Sequence, residues 1–247
     1  MMSLAPLVLL AAAPASPPQA YSAPQAYLAP SAAPGGLWPT ERTQPPPSVF
    51  APQEGDLIFF TKDTKIYTIL YPIVRSFHPF HSGIIVRRVT GELCVLEDGG
   101  EGWRTATLQP VIDRMAHEYE DGKARIWVRK RLNPLTQEQS RALTAFAEAQ
   151  FGRPFASVGG LAKLAIPFRP TARSYPDQKT WFCSEIVAQA MVSGGLFPAN
   201  RVRPQSVTPY DLMRDRRGVN LSDYWSGIYI YSPTLSPPPP GPRLARP

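Results

Sequence analysis

Reactive side chains are scarce in this 247-residue chain, which has two cysteines, Cys94 and Cys183, and three histidines, His78, His81 and His117. So few cysteines exclude a disulfide-stapled scaffold, and no His/Cys group falls at zinc spacing. No Gly-rich loop cradles a phosphate; Gly99-Gly100-Glu101-Gly102 does not follow the dinucleotide pattern. No serine sits in a nucleophile elbow. Nothing in the sequence calls for a metal or other cofactor. The apolar run Leu4 to Ala13 is far too short to cross a bilayer as a helix. There is no internal repeat.

Charge is nearly missing from both ends. Glu41 and Arg42 are the only charged side chains at the front, Arg243 and Arg246 the only ones at the back. Proline crowds there instead, as Pro17-Pro18, Pro45-Pro46-Pro47 and Pro237 to Pro240, out of 30 in the chain. Such stretches offer too little apolar surface to offset the entropy of ordering. They divide the chain into a leader over 1–51, one folded unit over 52–232 and a tail over 233–247, with leader and tail expected to be disordered. Ala11-Ala12-Ala13 and Ala13-Pro14-Ala15 have the small-x-small form of a signal-peptidase site, although no Lys or Arg precedes the apolar run. The expectation is export to the periplasm or cell envelope; a cytoplasmic protein with an Ala/Pro-rich leader is the alternative.

The net charge of the chain is +7. Leaving out the ends removes three Arg and one Glu, so the folded unit keeps +5. The basic residues are scattered and lack the aromatic-interleaved stripe of a nucleic-acid footprint, which argues against a nucleic-acid partner. A solvated basic surface of this kind suits peripheral contact with an anionic envelope polymer or lipid surface.

Within the unit, Glu54-Gly55-Asp56 turns into the buried-type strand Leu57–Phe60. Ile66 to Val74 reads as a short helix or packed loop. His81-Ser82-Gly83 leads into the β-branched run Ile84-Ile85-Val86, and Gly91-Glu92 turns it onto a hairpin partner, Leu93 to Glu97. Residues 124–129 alternate as a half-buried strand, except at Trp127. Thr136 and Gln139 form a capping box opening a helix to Gln150. A second helix is expected over 156–165. A third starts at Cys183, whose stripe Cys183, Ile186, Val187, Ala190 and Met191 keeps helical spacing until Gly194-Gly195. Thr208-Pro209 opens a short helix, and Tyr224 to Tyr231 is a closing strand. The mixture is α+β with a small antiparallel sheet.

Cys183 therefore begins a helix, where backbone N–H groups and the helix dipole favour a thiolate and can hold an oxyanion. Its place on the apolar stripe is also that of an inert core cysteine. His81, at a strand start beside small residues, is the residue type that serves as base to a thiol. Glu97, near the end of the partner strand, can hold the Nδ1–H of His81, with neighbouring Asp98 as the alternative. Cys94 lies inside a strand, where a small hydrophobe is expected. A Cys94–Cys183 disulfide is the competing structural reading.

Taken together, Gly55-Asp56-Leu57-Ile58-Phe59, His81-Ser82-Gly83-Ile84-Ile85-Val86, Val95-Leu96-Glu97, Phe182-Cys183-Ser184-Glu185-Ile186-Val187 and Thr208-Pro209-Tyr210-Asp211-Leu212 resemble the permuted papain-like amidases of the YiiX/YebB type, within the NlpC-type cell-wall peptidase superfamily. The segments keep the family's order over most of 54–215, and His81 precedes Cys183, the permuted order. Two positions depart from the pattern. Ser82 follows the histidine where relatives more often carry Val, and Phe182 precedes the cysteine where Tyr or Thr is common.

The resemblance implies a circularly permuted papain-like fold, its sheet packed against the helix that starts at the cysteine. It also implies Cys183 as nucleophile, His81 as base and Glu97 as the group orienting it. The expected activity is cysteine-dependent hydrolysis of amide bonds in a peptide, cell-wall or acyl-lipid substrate through an acyl-enzyme. The alternatives are a lipid-directed acyltransferase and a non-catalytic binding module that keeps the fold.

Overall fold

The structure, a computed structural model, describes residues 27–30, 48–61, 78–98, 105–120, 125–154, 156, 179–216 and 219–232. Its strands are β1 (Tyr27–Pro30), β2 (Ser48–Val49), β3 (Leu57–Phe60), β4 (His81–Arg87), β5 (Leu93–Asp98), β6 (Ala106–Pro110), β7 (Ile126–Arg131) and β8 (Trp225–Ser232). Its helices are α1 (Val111–Glu120), α2 (Gln137–Gln150), α3 (Cys183–Ser193) and α4 (Pro209–Arg214). All strands join one antiparallel sheet in the order β2-β1-β8-β7-β3-β4-β5-β6. The chain is α+β, as its sequence implies.

The local signals act where expected. Gly91, at φ +89°, turns the β4–β5 hairpin, closed by Arg88 N–H to the Glu92 carbonyl at 2.9 Å. Thr136 Oγ1 accepts the Gln139 N–H at 3.1 Å, and Gln139 Oε1 accepts the Thr136 N–H at 3.1 Å, starting α2. Thr208 and Asp211 start α4 in the same reciprocal way, at 3.2 and 2.9 Å. Trp225 Nε1 donates to the Gly55 carbonyl at 2.8 Å and ties β8 to the turn before β3.

Three expectations are corrected. Eight described strands form the sheet, which is larger than the small sheet expected. β7 runs over 126–131 and is buried at Ile126, Trp127, Val128 and Arg129 alike, because it lies between β3 and β8 with both faces covered; Trp127 therefore breaks no pattern. The sheet also takes in residues ahead of the expected boundary at 52. β1 pairs with β8, β2 pairs with β1, and Phe50 is buried edge-on against Tyr231, with ring centroids 5.5 Å apart. Pro30 pairs with Tyr229 of β8 and lies beyond Tyr27 and Leu28, the residues that β2 pairs. The expected helix over 156–165, the run from Ile66 to Val74, the signal-like segment and the tail lie outside the described residues.

Two apolar layers clothe the sheet. Leu57, Phe59, Ile84, Val86 and Leu96 meet α2 and α3 through Leu143, Phe146, Ile186, Val187 and Met191. On the opposite face Ile58, Phe60, Ile85 and Val95 meet Val111 and Met115 of α1. Helix α3 lies against β4 and β5, so its N-terminal residue comes close to the end of the hairpin.

Gly83, in β4 opposite Glu97, has no room for a side chain. A Cβ there would lie 2.5 Å from Val95 Cγ1 and 3.2 Å from the Leu96 carbonyl oxygen. Gly83→Ala is expected to force β4 from β5 and to lower stability by about 1–3 kcal/mol, as over-packing does. An unchanged urea midpoint for the variant would show that the hairpin has slack that the packing denies it.

Candidate active site at the open end of the hairpin

His81 is the first residue of β4 and Cys183 the first of α3. In a strand, alternate residues share a face. His81 therefore shares the α1 face with Ile85, and Glu97 shares it with Val95. Asp98 falls on the other face. Since Glu97 pairs with Gly83, it meets His81 along the diagonal of the hairpin. The contact is direct, with His81 Nε2 and Glu97 Oε2 2.7 Å apart. This corrects the expectation that Glu97 takes Nδ1–H. The Cys183 side chain is near enough to act on the ring electrostatically, and with Nε2 given to Glu97, Nδ1 is the nitrogen left for a second partner.

Cys183 arrives from the opposite face of the sheet. It reaches His81 because β4 ends there: Cys183 Sγ lies 3.9 Å from the Phe80 carbonyl oxygen, one residue before the strand. The site thus occupies the open end of the hairpin, where the two covered faces meet. Its members are nearly sealed, with residual exposure of 6 % at Cys183, 4 % at His81 and none at Glu97.

At the start of α3, the Phe182 N–H is taken by Glu185 Oε2 at 3.3 Å. The Glu185 carboxylate is therefore folded back onto the helix entry. The first N–H groups of a helix have no intrahelical acceptor, so those of Cys183 and Ser184 are available to an oxyanion formed beside the sulfur. Ser184 Oγ is turned away, donating to the Val207 carbonyl at 2.8 Å. Ser82, the departure noted next to His81, is fully buried, and its hydroxyl has no hydrogen-bond partner among the described residues.

Three residues in the site escaped the sequence reading. Arg114, on α1, grips both oxygens of Glu97, with Nε on Oε1 and Nη2 on Oε2 at 3.2 Å. Its Nη1 donates to Glu118 Oε2 at 2.8 Å. Its guanidinium carbon lies 4.2 Å from the centre of the Phe60 ring, which stacks with His81 at 5.8 Å. A signal existed in the helix, where Val111, Arg114, Met115 and Glu118 keep helical spacing. Two opposite charges stand on what would otherwise be an apolar stripe.

Electrostatics follow from this row of groups. Burial disfavours a charged His81, but the Cys183 sulfur and the Glu97 carboxylate outweigh it and lift the ring from 6.5 to about 9. Burial likewise opposes an ionised Glu97, yet the His81 hydrogen bond and charge and the Arg114 guanidinium hold it down at about 2.

Cys94 has another character. It lies in β5 opposite Val86, and burial and the Glu92 carboxylate push its thiol up to about 11. Both cysteines are free. Val86 is five residues along β4 from His81, ~17 Å of strand, while a disulfide spans no more than ~7 Å between Cα atoms. With Cys183 at His81, that bridge is out of reach. A cleft of about 440 Å³ lined by Arg131, Phe197 and Tyr224 among others opens at the far end of α3 and holds none of these residues.

No family model matches the chain, and no curated protein matches it by sequence. Similar solved structures include the crystal structure of the metalloprotein yiiX from Escherichia coli O157:H7, 21 % identical, covering 62 % of this chain and 69 % of that one at a TM-score of 0.42. Among the described residues of this chain, no group of three or more His, Cys, Asp and Glu is gathered to hold a metal ion.

The His81–Glu97 pair should leave a signature in stability. His81 is raised in the fold, so its contribution is complete below about 6.5 and lost as pH rises through about 9. Glu97 is depressed, so its contribution is complete above 4.5 and lost as pH falls through about 2. Denaturant unfolding of the native chain and of His81→Gln at a series of pH values should show the largest gap below pH 6.5, closing by about pH 9. A gap that stays constant from pH 6 to 10 would mean that His81 carries no such charge.

Proposed function

We propose that the chain is a thiol hydrolase of amide bonds, with Cys183 as nucleophile, His81 as its acid and base, and Glu97 as the group that orients and charges His81. The observation that carries this reading is the unbroken row from the first residue of α3 through His81 to Glu97. The sequence segments resembling the permuted papain-like amidases of the NlpC-type superfamily support it as well, as does the position of the cysteine helix against the hairpin.

The chemistry follows from the arrangement. His81 takes the proton of the Cys183 thiol, and the thiolate attacks the substrate carbonyl, forming a C–S bond and a tetrahedral oxyanion. The N–H groups at the start of α3 receive that oxyanion. The C–N bond breaks as His81 returns the proton to the departing amine. Water, deprotonated by His81, then attacks the thioester; the C–S bond breaks and releases the acid and the thiol. Glu97 stays ionised throughout and balances the imidazolium. An amine or alcohol in place of water would make the same acyl-enzyme a transferase, including one acting on lipids. The substrate class is an amide or acyl group of a peptide, cell-wall polymer or lipid. Export to the envelope, and contact of the basic surface with an anionic polymer or lipid there, belong to the same proposal.

Incubation with a p-nitrophenyl acyl ester, followed by intact-mass measurement, tests the nucleophile. The expected result is a single acyl group per chain, on Cys183, absent from Cys183→Ala and formed about a hundredfold or more slowly in His81→Ala. Adding water alone, an amine or a lipid alcohol then separates hydrolase from transferase by the product formed. Equal acylation of Cys183→Ala, or none in the native chain with any acyl donor, would overturn the proposal in favour of a binding module.

A further inference from the structure

We propose that Arg114 is a positioning residue of this site, holding the Glu97 carboxylate ionised and aimed at His81 from the helix that covers their face of the sheet. Its importance for catalysis rests on the thiol-hydrolase reading; its hold on Glu97 does not.

Glu97 is fully buried, and a carboxylate without water must be met by donors or give up its charge. His81 supplies one donor, to Oε2. Arg114 supplies the others, a two-pronged grip on both oxygens that fixes the carboxylate plane as well as its charge. A guanidinium suits this task because its fork is rigid and always charged. Arg114 is itself pinned by Glu118 and lies over Phe60. Phe60 is the cross-strand partner of His81 and stacks with its ring.

The row therefore runs sulfur, imidazole, carboxylate, guanidinium, carboxylate. The groups facing His81 are Cys183 and Glu97; those facing Glu97 are His81 and Arg114; those facing Arg114 are Glu97 and Glu118. Without Arg114, a proton shared between Glu97 and His81 is free to settle on the carboxylate. His81 would then become neutral and lose the partner that orients it.

A purely structural arginine would anchor α1 to the sheet, and its loss would cost stability alone. The distinguishing readout is the protonation of His81, followed by NMR in the full chain with ¹⁵N-labelled histidine. The native ring should titrate near 9. In Arg114→Met the midpoint should fall by about one pH unit or more. In Arg114→Lys, which keeps the charge and gives up the fork, it should fall by less. Should the Met variant not fold, the Lys variant decides, and a native midpoint there overturns the proposal, as does a native midpoint in a folded Met variant. The two readings fail separately. A shifted His81 in a chain that never acylates leaves Arg114 its hold and removes the hydrolase. An unshifted His81 in a chain whose Cys183 acylates leaves the hydrolase and removes Arg114.

Discussion

The hydrogen bond between His81 and Glu97 crosses the hairpin on the diagonal, in a place water scarcely reaches, and the rest of the site depends on it. Two strands must be in one register for it to form. Gly83 stands opposite Glu97, where any side chain would force the strands apart. The turn at Arg88–Glu92 sets the count of residues between the two partners. A slip of one residue would turn Glu97 to the other face and put the shorter Asp98 in its place.

Because this pair lies on one face of the sheet and the cysteine helix on the other, Cys183 and His81 can meet only where the strand stops. β4 begins at His81, α3 begins at Cys183, and the two beginnings coincide. Helix α3 is seated by Ile186, Val187 and Met191 in the larger apolar layer, far more contact than the sulfur itself makes. Packing thus delivers Cys183, hydrogen bonding orients His81, and burial raises the strength of both interactions. The same burial makes an uncompensated charge costly, which is why the row continues through Arg114 to Glu118 before it ends.

Much of this was legible in the sequence where one local rule governed. The helix start at Cys183, the capping pairs at Thr136 and Thr208 and the hairpin from His81 to Glu97 each rest on periodicity or turn chemistry within a few residues. What depended on distant partners was not legible. Ala106–Glu120 shows no clear strand or helix signal, since Arg114 and Glu118 interrupt the apolar stripe of α1 and make sense only once Glu97 is beneath them. β7 read as half-buried because its neighbours on both faces come from elsewhere in the chain. β1 and β2 lie in a leader whose proline content argues against any strand, and the pairing of β1 with β8 and of β2 with β1 overrides that composition. The choice of ring nitrogen at His81 was likewise beyond the sequence, because it follows from the direction in which Glu97 approaches.

The most direct measurement of the central claim is the pH dependence of Cys183 alkylation by iodoacetamide, in the native chain and in His81→Ala. The Cys94 thiol, pushed up to about 11, stays silent in both. Cys183 should react at neutral pH and should slow sharply when His81 is lost. A Cys183 that is equally inert in both proteins, or that reacts at the same rate without His81, would contradict the pairing on which the account is built.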